Sequence, residues 1–97
     1  MRQQQSTGIA LAVPTVHLNG TNGDDLLEQV NEAERALDEA LRSLRACAPN
    51  QRDYYPQGSE AWKRAIDQHC ARVDRLVDVA TELEQLAEAI ANGGHKA

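Results

Sequence analysis

The residues best suited to chemistry in this chain stand close together. Tyr54, Tyr55 and Trp62 are all of its aromatics, and Arg52, Lys63 and Arg64 lie among them. Aromatic rings stack on a heterocyclic base, guanidinium forks grip phosphate oxygens, and a helix N-terminus attracts an anion. In that chemistry Arg52 pairs with phosphate or ribose oxygens and one or both tyrosines stack or hydrogen-bond. Trp62, Lys63 and Arg64 line the wall. The same residues have a structural use: rings beside a turn plug the open end of a helical bundle, and arginines near a helix C-terminus complement its dipole. A ring of charge and aromatics at an oligomer interface satisfies both uses.

Catalytic motifs are absent. No GxSxG, HExxH, Walker-type or GxGxxG pattern occurs, and His17, His69 and His95 are too scattered to form a metal set. His69 and Cys70 are neighbours on a helix, so they point about 100° apart and do not converge on one ion or one substrate atom. The expectation is a protein that is not an enzyme, with no cofactor and no metal. Cys47 and Cys70 form neither a CxxC pair nor a disulfide framework, and they read as free thiols of a reducing cytoplasm. The apolar stretch from Ile9 to Val13 is too short for a signal-peptide core, which again suggests the cytoplasm.

Two helices must position these groups. Asn19-Gly20-Thr21-Asn22-Gly23 is a dense turn cluster where Thr21 or Asn22 can cap a helix, with Asp24, Asp25 and Glu28 in its first turn. That first helix is expected over about 24–47, with Leu26, Val30, Ala33, Leu37, Ala40 and Leu44 as its apolar line. Arg42 and Arg45 stand in its closing turns. Ala48-Pro49-Asn50 stops it, and Ser59 offers a cap for a second helix over about 59–91. There Trp62, Ile66, His69, Val73, Leu76, Ala80, Leu83, Ala87 and Ile90 alternate spacings of 4 and 3 without a break. This seam, polar only at His69, indicates coiled-coil-like packing. His69 is either satisfied within an interface or a residue that sets register or senses pH where copies meet. Residues 1–8 read as a polar, mobile tail, 9–18 as an extended arm or edge strand, and 92–97 as a loose tail.

Folding the helices as an antiparallel hairpin gathers Arg42, Arg45, Arg52, Lys63 and Arg64 at one end, half of the 10 basic residues of a chain whose net charge is -5. The overall acidity disfavours a nucleic-acid polymer or a membrane surface as partner. No apolar run reaches the roughly 18 residues of a membrane span. Two amphipathic helices cannot enclose a core. Ala65, Val79 and Leu86 widen the second helix's stripe on one flank, Cys70 and Val77 on the other. The expected fold is therefore all-α: an antiparallel two-helix hairpin with an extended N-terminal arm, assembling into a homo-oligomeric helical bundle. Trp62, Ile66, His69, Val73, Leu76 and Leu83 are the expected oligomer seam. His17, Asn19 and Thr21 could complete the binding site from a neighbour's arm. The arm could equally pair with a neighbour's arm or pack on its own hairpin.

The combination VPTVHLNGT, a capped helix, APNQRDYYPQG and a second helix resembles a family of small proteins encoded by tailed phages and prophages. The resemblance covers about residues 13–90, and its specific parts are the Thr15–Thr21 arm and the Ala48–Gly58 connector. It implies a phage product acting in the bacterial cytoplasm. Some small phage proteins of this build are counter-defence sponges that sequester nucleotide signals of host immunity, an analogy at the level of fold. The leading expectation is a non-enzymatic homo-oligomer that sequesters a small anionic ligand such as an immune signalling nucleotide. The alternatives are a module that binds and inhibits a host protein, or a structural or accessory phage component.

Overall fold

The computed structural model describes residues 11–96. The polar tail, the first two residues of the expected arm and Ala97 lie outside them. Two long helices, α1 (Gly23–Ala46) and α2 (Ser59–Ala91), pack against each other as a helical hairpin. Among the described residues there is no strand, only an isolated antiparallel bridge between Thr15 and Gly94.

Each helix begins where local chemistry supplies its orphan donors. The Asn22 Oδ1 accepts from the Asp25 N–H at 2.8 Å, and the Asn22 Nδ2 donates back to the Asp25 carboxylate at 3.1 Å. Asn22 rather than Thr21 is thus the cap. At α2 the expected Ser59 cap is not used: Gly58 occupies the cap position, and Ser59 is already helical. Gly58 sits at φ +100°, a conformation that L side chains rarely adopt, and it turns the chain from the connector into α2.

The apolar line of α1 differs from the one expected. Ala33 and Ala40 are exposed, whereas Leu41 is buried, and Leu27 is half-buried alongside the expected Leu26. The line facing α2 is therefore Leu27, Val30, Glu34, Leu37, Leu41 and Leu44. Both lines share Val30, Leu37 and Leu44, so the helix settles the choice by turning about 50°, which hides two leucines instead of two alanines. On α2 every member of the 4–3 line from Trp62 to Ile90 is at least half-buried. Burial is shallow all the same: among the described residues only Leu41, His69 and Ile90 are buried, each still 5–8% exposed.

The arm and the C-terminal segment hold each other. The His95 N–H donates to the Pro14 carbonyl at 2.8 Å, beside the Thr15–Gly94 bridge. The segment from Asn92, expected to be loose, is thus tied down at Gly94 and His95, and the arm lies on its own chain. Gly94 permits this because its φ is +75° and a Cβ there would stand 2.6 Å from the Pro14 carbonyl oxygen.

Candidate functional site

The connector is two back-to-back 3-10 turns, Gln51–Asp53 and Tyr55–Gln57. The Asn50 Oδ1 accepts from the Arg52 N–H at 3.1 Å, and the Asp53 and Tyr54 N–H groups donate to the Asn50 and Gln51 carbonyls at 3.0 Å. The Tyr54 carbonyl accepts from the Gln57 N–H at 2.9 Å, and the Tyr55 carbonyl from the Gly58 N–H at 3.0 Å. Pro56 fixes the second turn's first residues. These bonds set the backbone of Arg52, Tyr54 and Tyr55 without help from α1.

Of the aromatics, Tyr54 and Trp62 form a pair, with ring centroids 6.3 Å apart and planes tilted by 35°. That geometry is within the range of favourable aromatic contacts. Both rings are half-buried, whereas Tyr55 stands out at 71% exposure. Arg52, Lys63 and Arg64 are exposed, and none of the three forms an ion pair among the described residues. Arg42, counted with this basic group in the sequence, is engaged with Glu39 at 3.0 Å. The connector therefore offers one aromatic pair, one exposed tyrosine ring and Arg52, while Lys63 and Arg64 follow Trp62 on α2 and point about 100° and 200° away from it. An anion that carries a flat ring is the ligand class those groups can hold.

The arm residues are elsewhere in the chain. Thr15 pairs with Gly94 beyond the end of α2, whereas the connector precedes its start, and the 33 residues between span about 50 Å. His17, Asn19 and Thr21 are exposed at that far end, so one chain does not bring them to Arg52 and Tyr54. The arm instead makes a tight turn in which the Gly20 N–H donates to the His17 carbonyl at 3.1 Å. The turn thrusts out Leu18, which is 98% exposed.

Two features escaped the sequence. Asn50 was legible only as a helix stop, yet its side chain caps the turn that carries Arg52. A groove between the helices, lined by Glu34, Asp38 and Leu41 of α1 and Val77, Ala80, Thr81 and Glu84 of α2, was not legible at all. His69 is 8% exposed and makes no side-chain hydrogen bond among the described residues. Cys47 and Cys70 are free and exposed. Among the described residues no cluster of His, Cys, Asp or Glu is arranged to hold a metal, and no helix is long and apolar enough to cross a membrane.

Fold and site together define a class: a small helical hairpin with an aromatic, cationic connector at the start of its longer helix. Compared with known proteins, the chain matches no family model, no curated protein and no solved structure.

Proposed function

We propose that this chain is a non-enzymatic, homo-oligomeric protein that binds and sequesters a small anionic ligand, such as a signalling nucleotide, at its connector. One observation carries the reading: the half-buried Tyr54–Trp62 pair lies in the same short segment as Arg52, Lys63 and Arg64, which form no ion pair among the described residues. The ring of the ligand stacks on the aromatic group and Arg52 takes its phosphate oxygens. Sequestration needs tight binding and no bond-making, so catalytic residues are not required.

The helices run antiparallel in this reading, and copies of the hairpin assemble into a bundle. Support comes from the shallow burial: the apolar residues of one chain hide few of their own atoms. His17, Asn19 and Thr21 then come to the connector from a neighbouring copy's arm, since about 50 Å separates them within one chain. The proposed setting, a phage product countering host immunity in the bacterial cytoplasm, rests on the resemblance of the arm and connector segments alone.

Calorimetry with a panel of cyclic dinucleotides and ADP-ribose derivatives tests the reading. A saturable heat is expected for one class, abolished by Arg52→Ala with Tyr54→Ala while the oligomer stays intact. Dissolution of the oligomer by those changes would make the residues architectural and remove the reading's basis.

A second reading is favoured by Leu18. A fully exposed leucine at the tip of a fixed turn is suited to insertion into a partner's apolar pocket, as in a module that blocks a host protein. Under it, Leu18→Ser abolishes capture of one host protein and the calorimetric panel stays silent.

A further inference from the structure

We infer that one broad face of the hairpin, carrying Leu26, Ala33 and Ala40 of α1 and Ala65, Val79 and Leu86 of α2, is the surface on which a second copy of this chain docks. The inference deepens the self-association proposed above and does not depend on the ligand.

It begins with surplus apolar residues. α1 spends Leu27, Val30, Leu37, Leu41 and Leu44 on α2, which leaves Leu26, Ala33 and Ala40 as a second line at heptad spacing. α2 does the same. Beside its seam, Ala65, Val79 and Leu86 continue a second 4–3 line that shares His69, Leu76, Leu83 and Ile90 and is interrupted only by Arg72. At 100° per residue each surplus line lies about 45–50° from its seam, and in the same rotational sense on both helices. In an antiparallel pair, equal rotations in the same sense bring both lines to one broad face. A helix with two overlapping heptad lines has a partner for each in a bundle of more than two helices.

The other broad face decides what covers this one. Its groove is lined by Glu34 and Asp38 from α1 and by Val77, Thr81 and Glu84 from α2. Two copies meeting there would set like charges against one another. The surplus face has no carboxylate at any of the positions named, nor at the flanking Gln29, Ala36, Ser43 and Gln68; the row that begins at Gln68 continues with Arg75 and one carboxylate, Glu82. In a chain of net charge -5 that is where its own copy can approach. Arg72, Arg75 and Glu82 carry the charge there, against the groove's Glu34, Asp38 and Glu84, and the arginine stems can cover apolar surface while their heads stay wet.

The area also suffices. α1 has 24 residues, about 36 Å of helix, and two helices side by side present a strip roughly 20 Å wide. That is on the order of 700 Å² per copy and 1,400 Å² in all, within the usual range of a stable, specific interface. An identical patch on each copy closes by a twofold axis and leaves no open edge for further growth.

Val77 and Val79 test the choice of face, because both are exposed, at 36% and 46%, and they lie on opposite broad faces. Sedimentation equilibrium of the full chain is the measurement. Val79→Glu should raise the dissociation constant of self-association by roughly 100-fold or more, since a carboxylate would be buried twice. Val77→Glu should leave it within about threefold of the parent, at the scale of an ordinary surface change. Ala40→Glu, on exposed helix surface, repeats the test at an independent site, with circular dichroism confirming that each variant keeps its helix content. Dissociation by Val79→Glu and Ala40→Glu alone supports the inference, whether or not any ligand binds. Dissociation by Val77→Glu alone, or a parent chain that does not self-associate, overturns it.

Discussion

Gly94 shows how much one residue can hold in place. Its φ of +75° and the 2.6 Å gap between a Cβ and the Pro14 carbonyl oxygen each exclude a side chain, and the arm is held only where that gap is kept. Gly94→Ala should release the arm at a local cost of about 1–3 kcal/mol. Hydrogen exchange at the His95 amide, which donates to Pro14, should then accelerate at least tenfold, while the hairpin amides change little. Unchanged protection at His95 would show that the arm is held by something else. His69 makes the opposite case. It fills a buried seam position, yet among the described residues no side-chain nitrogen or oxygen is both buried and unpartnered, so its ring still reaches water and His69→Leu should move stability by less than about 1 kcal/mol, read from the urea midpoint. At this scale the sequence was partly legible. Asn22 as a cap followed from its type and place, but nothing near Gly94 announces that Pro14, most of the chain away, presses on it.

The helices themselves were legible because their signals are local. A turn cluster and acids in the first turn mark α1, and an unbroken 4–3 spacing identifies α2 without any knowledge of its neighbour. The rotation of α1 was not legible, for a physical reason: Val30, Leu37 and Leu44 belong to two lines at once, and only packing against α2 decides between Ala33 with Ala40 and Leu27 with Leu41. Leu41→Ala should accordingly cost about 2–4 kcal/mol in chemical unfolding, whereas Ala40→Ser should cost under about 1 kcal/mol for the hairpin itself. Equal losses would return α1 to the rotation read from sequence. Asn22→Ala removes a bond of 2.8 Å to the Asp25 N–H and should lower stability by about 1 kcal/mol, measurable as a lower thermal midpoint. In the connector, the clustering of Tyr54, Tyr55 and Trp62 was legible from the residues alone. The pairing of Tyr54 with Trp62, which leaves Tyr55 exposed, depends on the two 3-10 turns and was not.

The whole molecule is long and thin, 62 by 27 by 17 Å, with a radius of gyration of 18.4 Å. A compact domain of this length measures about 12–13 Å. Two helices alone give this shape and leave Ala33, Ala40 and Val79 of their second apolar lines exposed, the surface that the proposed assembly would cover. The same shape separates arm from connector by the length of α2, which makes any site using both a site between copies. Sequence arithmetic raised the expectation of a partner but named no face, because the contrast between the acidic groove and the less acidic side emerges only once the helices are set side by side. Light scattering on the full chain at tens of micromolar tests the account most directly. A mass of at least twice 10.7 kDa is expected, unchanged by Arg52→Ala with Tyr54→Ala and reduced to one chain by Val79→Glu. A parent mass of 10.7 kDa, one chain alone, would contradict both the shared site and the docking face.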